Sequence, residues 1–420
     1  MPIYKNPIRI LQSVAAASMA MALVAGAQTP APPAPAATPA PAAAPADAAA
    51  AAAAPAPLST FVLTGPLTWL PPATFDAGPL GKLSVNGILT GFAQFQSNPL
   101  ETDDAAQATL SNGQIFIQKA DGPVQFFVQA GVYSLPTLSV PYVNAQNTTN
   151  NTYGPVPVAY LKLPVGKTTQ FEIGALPTLM GAESTFTFQN FNIERGILWN
   201  QENAVNRGIQ INQTMGKYFA GSVSWNDGYY SNRYSWLSGS LTLTKGPHVL
   251  VYDGMGNLGQ TAFQTAATPI QNNGYMHAVI YTYTKGPWII SPYFQYGKLP
   301  TGAKVGVAKG TSATGGAVNV SYAFKSGVSL PVRFEYLTSS GNATDGSVNM
   351  LGFGAGSAGT TVTVTPTYQK AGWFVRGDLA TVHASNYTSG SVFGSAGTKA
   401  DQFRAVLEFG FIFGSNITGK

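Results

Sequence analysis

Residues 177–208, "PTLMGAESTFTFQNFNIERGILWNQENAVNRG", gather Glu183, Glu194, Arg195, Glu202 and Arg207 in a chain of which only 9% is charged. Carboxylates and guanidiniums opposed on one segment can polarise a narrow aqueous opening and orient water and charged solutes passing through it. The same stretch carries Phe186, Phe188, Phe191 and Trp199, so it is too apolar for a disordered loop and too long for a mere connection. The alternative role is structural, a loop packed over the mouth of a larger scaffold. A second cluster, "WNDGYYSNRYSWLSG", brings together Trp225, Tyr229, Tyr230, Tyr234 and Trp236. Flat rings stack on sugar faces, and with Trp199 these residues are candidates for carbohydrate contact. The aromatic girdle of a membrane protein is the alternative, and the favoured, role for them.

Other chemistries find little support. His248, His277 and His383 are scattered without metal-ligand spacing, so no metal site is expected. No G-x-S-x-G occurs, and the glycine-rich "GFGAGSAGTT" lacks the lysine of a phosphate loop. We expect neither enzymatic activity nor a cofactor.

Composition limits the scaffold that must position these residues. A chain this poor in charge lacks the surface of an ordinary soluble protein, which is about one-quarter charged. The formal charge of +5 includes Lys5 and Arg9; without them 20 Lys+Arg stand against 17 Asp+Glu, no nucleic-acid-binding excess. Cysteine is absent, which excludes disulfides and thiolate sites.

Residues 1–27 read as a secretory signal peptide: a basic start, an apolar stretch, then the small residues Ala25, Gly26 and Ala27. Residues 28–57 are almost wholly Ala and Pro, a composition expected of an extended linker. Residues 58–80, with "FVLTGPLTWLPP", are apolar but broken by proline and receive no assignment.

From residue 81 to 420 the pattern is that of transmembrane β-strands, about ten residues each with period-two alternation. In "FRAVLEFGFIF", Phe403, Ala405, Leu407, Phe409, Phe411 and Phe413 share one face, and Arg404, Glu408 and Gly410 the other. Because successive strand side chains point oppositely, the apolar row can meet lipid while the charged row faces a watery interior. "VRFEYL" sorts Arg333 and Glu335 inward, and "WFVRGDLA" sorts Arg376 and Asp378 inward, giving six expected lumen-lining residues with Arg404 and Glu408. Tight turns near 120–123, 164–167, 214–217, 244–247, 284–287, 324–327 and 369–372 alternate with long polar stretches. Seven hairpins with one strand at each end make sixteen strands. The stretch 347–356 would be a seventeenth, but bacterial single-chain barrels have even strand numbers, so it belongs in an outer loop.

The segment 177–208, together with "SVSWNDGYYSNRYSWLSGSLT" and "SPYFQYGK", resembles the OmpL-like β-barrel porins of Gram-negative outer membranes. The resemblance spans about residues 80 to 415 and implies an outer-membrane channel for small hydrophilic solutes. The expectation is therefore an all-β protein: a transmembrane antiparallel β-barrel of 16 strands behind a signal peptide and linker, in the outer membrane. Outer-membrane lipid and small hydrophilic solutes or ions are its expected partners, a homotrimer follows by analogy with general porins, and nucleic acid is not a partner. Residues 177–208 would form its third outer loop and constrict the lumen. A carbohydrate-selective channel and a non-conducting structural or adhesive barrel are the alternatives.

Overall fold

A computed structural model describes residues 67–261 and 271–415. The proposed signal peptide and Ala/Pro linker, and residues 58–66 of the unassigned piece, lie outside the described residues.

Sixteen antiparallel strands form the wall. The first eight are β1 (Lys82–Gln96), β2 (Ala106–Lys119), β3 (Gln125–Tyr133), β4 (Val158–Val165), β5 (Thr169–Pro177), β6 (Val205–Met215), β7 (Phe219–Asn226) and β8 (Trp236–Lys245). The second eight are β9 (His248–Asn257), β10 (Tyr275–Lys285), β11 (Trp288–Leu299), β12 (Thr311–Ala323), β13 (Val328–Ser339), β14, β15 (Trp373–Ser385) and β16 (Asp401–Phe413). Strand β14 runs in two pieces, Ala358–Val364 and Thr367–Lys370, both pairing with β13 and β15. The break contains Pro366, which has no N–H for the ladder.

Each strand pairs with its neighbours in sequence, and β16 pairs with β1 from Arg404↔Gln96 to Phe413↔Gly87. Closure leaves no unpaired edge, which a membrane would not tolerate. The seven short turns fall at one end. In the two "TKGP" turns, Gly246 and Gly286 sit at φ +58° and +57°, a left-handed conformation costly for residues with a Cβ. The long connections lie at the other end, and residues 347–356 form part of the seventh of them, not a strand.

The burial pattern is that of a membrane barrel. Leu407 and Phe409 on β16, Leu379 on β15 and Phe334 on β13 are exposed outward, while Arg333, Glu335, Arg376, Asp378, Arg404 and Glu408 point inward and are buried. The apolar face is thus the outer one, as lipid contact requires.

Before β1, a short strand Ala73–Asp76 pairs with the first residues of β1, from Ala73↔Val85 to Asp76↔Lys82. Upstream of it, residues 67–72 enter the turn end of the barrel. Gln369 brackets Thr68, accepting from its N–H at 2.7 Å and donating to its carbonyl at 2.6 Å. Asn86 donates to the Leu70 carbonyl at 3.1 Å, and Ser415 N–H to that of Pro71 at 2.7 Å.

Candidate functional site

The connection between β5 and β6, residues 178–204, is the third long loop, and it folds into the barrel instead of over it. Its side chains are almost all buried. Two single-turn 3-10 helices, Thr187–Gln189 and Trp199–Gln201, organise it. Asn190 closes the first by accepting from Ser184 N–H at 2.5 Å and donating to the Ser184 and Phe186 carbonyls.

Inward residues of β13 to β16 hold this loop by charge. Arg333 pairs with Glu183 of the loop and with Glu335 on its own strand, and donates to the Glu194 carbonyl at 3.0 Å. Glu335 in turn accepts from the Ile197 and Leu198 N–H groups at 3.2 and 3.4 Å. Arg376 pairs with Glu408 and donates to the Asn190 and Thr187 carbonyls at 3.0 and 3.1 Å. Asp378 accepts from Glu194 N–H at 2.7 Å, and Arg404 reaches the Glu194 carboxylate at 2.8 Å. Charge-assisted bonds of this kind are about twice as strong as neutral ones.

Close approach explains two glycines. A Cβ at Gly181, which has φ +90°, would overlap the Glu202 carboxylate, and one at Gly196 would overlap that of Glu335. The second long loop clasps the third from above: Leu138 N–H donates to the Arg195 carbonyl at 2.9 Å, and Arg195 N–H to that of Pro136 at 3.1 Å. A short helix in that loop, α1 (Ala145–Asn151), is capped by Asn144, whose side chain accepts from Asn147 N–H at 2.9 Å.

Electrostatically the loop is far from water. Burial raises the Glu183 carboxyl, with Arg333 pulling it back, and raises Glu202 well above the usual carboxylate range. It lowers the Arg195 guanidinium to about 9, so Arg195 remains cationic at neutral pH. Arg195 lies over the Trp199 ring at 4.6 Å and donates to the Thr185 carbonyl at 2.7 Å.

One side of the interior is filled. Phe186 and Phe188 of the loop pack with Phe116, Phe127, Phe374, Ile88 and Ile412 of the wall. Trp69 of the entering N-terminal segment sets its ring edge-on to Phe116 at 5.2 Å and to Phe188 at 5.8 Å. Nothing in the sequence of residues 58–80 distinguishes this docking from an ordinary apolar turn. On the opposite side the lining is polar and half-buried toward the turn end: Lys162, Gln170, Asn212, Ser222, Thr244 and Thr282.

The expected site residues separate. Glu183, Glu194, Arg195 and Glu202 lie inside the barrel, but Arg207 does not. It belongs to β6, where alternation turns it outward with Ile209 and Ile211. There it binds Asp227 at 2.8 Å and stacks on Tyr230 at 3.9 Å, near the outward Trp225 and Tyr234. Arg207 is therefore a rim residue, not part of a constriction. The aromatic set divides likewise. Trp225 is exposed outward and Tyr230 half-buried, whereas Trp199, Tyr229 and Trp236 are buried inside. No single stacking platform results. Asp253 on β9 escaped the sequence reading although it faces inward and is fully buried. Its alternation with Leu250 and Tyr252 was the available signal.

A family model described as "Putative beta-barrel porin-2, OmpL-like" matches residues 82–413. The chain belongs to the OmpL-like β-barrel porin family. The porin's fold agrees with solved outer-membrane structures. An anion-selective porin from Comamonas acidovorans superposes with a TM-score of 0.54 at 9% identity, over 79% of this chain and 99% of that one. The outer membrane channel DcaP of Acinetobacter baumannii gives 0.54 at 12% identity, over 82% and 100%. The trimer form of OmpT from Vibrio cholerae gives 0.51 at 11% identity, over 79% and 99%. At these identities the likeness concerns the fold alone. No match was found among curated proteins. Family and fold place the porin in the outer membrane.

Proposed function

We propose that the porin is a passive diffusion channel for small hydrophilic solutes and ions, narrowed by its third loop. The observation carrying this reading is the asymmetry of the interior. Ion pairs tie the loop to the β13–β16 wall and apolar side chains pack it against β1–β4 and against β8–β12, while toward the turn end the wall from β4 to β10 keeps a polar, half-buried lining. Solutes pass along this polar lining, with the charged loop narrowing the way above it. Sixteen strands enclose room enough for such a path. The dispersal of the aromatic residues between the interior and the outer face supports this reading over a sugar-stacking track. OmpT of Vibrio cholerae has a trimer form, and we carry a homotrimer over to this chain as part of the proposal, to be checked by the mass of the detergent-solubilised native protein.

The functional test is reconstitution of the folded porin in a planar bilayer. Steady single-channel steps, unaffected by added oligosaccharides, are expected. Silence from a demonstrably inserted barrel would favour a structural role, and block by oligosaccharides would favour sugar selectivity.

A further inference from the structure

Most interior carboxylates have partners. Glu183 and Glu335 share Arg333, Glu408 has Arg376, Glu194 has Arg404, and Asp378 accepts from Glu194 N–H and the Thr365 hydroxyl. Glu202 and Asp253 differ. Both are fully buried; among the described residues neither Glu202 oxygen has a hydrogen-bond partner, and Asp253 has only neutral neighbours, the Ser240 hydroxyl and the Gly181 N–H. Among the described residues no ion pair reaches them, and the acids Glu183, Asp253 and Glu335 all act on Glu202. Two anions left this way in a dry interior are strongly unfavourable unless something neutralises them.

Their surroundings supply more unused oxygen. Tyr293 on β11 is 5% exposed, and its hydroxyl is buried, lacks a partner and has the Glu202 carboxylate as its leading charged neighbour. Gln295, two residues along the same face, spends its amide N–H on the Leu198 carbonyl at 3.1 Å and leaves its side-chain oxygen unbonded. Ser240, the register partner of Asp253 on β8, sets its hydroxyl beside the Asp253 carboxylate and has no other partner. Gly181 brings the two acids together: its α-carbon lies against the Glu202 carboxylate, and its N–H is among the polar groups beside Asp253.

We propose that Glu202 and Asp253, completed by the Tyr293, Gln295 and Ser240 oxygens, form a binding site for a divalent hard cation inside the barrel. The two carboxylates match its charge, and oxygen donors of mixed carboxylate, amide and hydroxyl type suit calcium-like ions. A site with only two carboxylates binds weakly, in the range of ~10⁻⁴ to 10⁻³ M known for low-affinity calcium modules. Glu202 belongs to the third loop and Asp253 to the wall, so the cation bridges loop and wall inside the barrel. Any effect of the cation on conduction rests on the channel reading; the binding does not.

The test uses terbium as the probe, since Trp199, Tyr229 and Trp236 form one buried cluster next to Glu202 and can sensitise its emission. Folded porin in detergent is titrated with Tb³⁺ and then with CaCl₂, alongside Glu202→Gln and Asp253→Asn. Saturable emission displaced by calcium, and weakened at least tenfold in each variant, supports the site. Absence of saturable emission, or emission unchanged in both variants, overturns it. Heat-modifiable gel mobility shows that the variants are folded; the isosteric amides remove unpaired charge and should not unfold the barrel. Bilayer recordings are run separately, so that terbium binding without conduction contradicts the channel reading and conduction without terbium binding contradicts the cation site.

Discussion

Arg333 on β13 and Glu183 in the third loop form a fully interior ion pair across 150 residues of sequence. The pair shows how the loop is held. A wall residue placed by alternation meets a loop residue placed by folding back into the lumen. Removing Arg333 strands Glu183 and Glu335 together in a buried site, which costs about 3–5 kcal/mol. Arg333→Ala should therefore lower the thermal midpoint of heat-modifiable mobility and increase open-channel noise. A midpoint equal to wild type would show that the loop is held by other means.

Stability should also depend on pH through Glu202. Burial raises its carboxyl above the ordinary value of 4.5. The folded protein then binds a proton that the unfolded chain has already released, so this contribution is complete below about 4.5 and is lost as pH rises through the folded value. In chelator, the thermal midpoint should fall as pH rises above that point, and Glu202→Gln should flatten the slope. An equal slope in the variant would remove Glu202 from the account.

Gly196 tests the closeness of loop and wall. An added Cβ meets the Glu335 carboxylate, so Gly196→Ala should cost about 1–3 kcal/mol through forced displacement. Denaturation of the folded barrel measures it, and a neutral result would mean that the loop can shift freely.

Trp69 tests the filled side of the lumen. Its ring rests on Phe116 and Phe188 and is half-buried. Trp69→Ala should reduce stability by about 1–2 kcal/mol, part of the value of a fully buried large side chain. It should also raise single-channel conductance by opening space at the turn end. Unchanged conductance would place the segment off the solute path.

Much of this architecture was legible because strand alternation is a strict two-residue code. Arg333, Glu335, Arg376 and Asp378 could be assigned inward from their apolar neighbours, and Gly or Pro marked the seven turns. The charged loop could be recognised by its content, but its end could not. Arg207 looked like the last of its charges, yet one residue of strand parity turns it outward onto Tyr230. Nor could the partners be read: that Glu194 meets Arg404 and Glu202 meets no cation depends on the path of the loop through the lumen. Trp69 docks on rings distant in sequence, which no local pattern encodes.

The most direct test of the central claim compares single-channel conductance of the porin with that of a variant whose residues 184–192 are replaced by a three-residue Gly-Ser bridge. These residues carry Phe186 and Phe188 into the lumen. A conducting wild type and a several-fold larger conductance in the folded variant are predicted. Equal conductances, or no conductance from inserted wild-type protein, would contradict a third loop that narrows a diffusion channel.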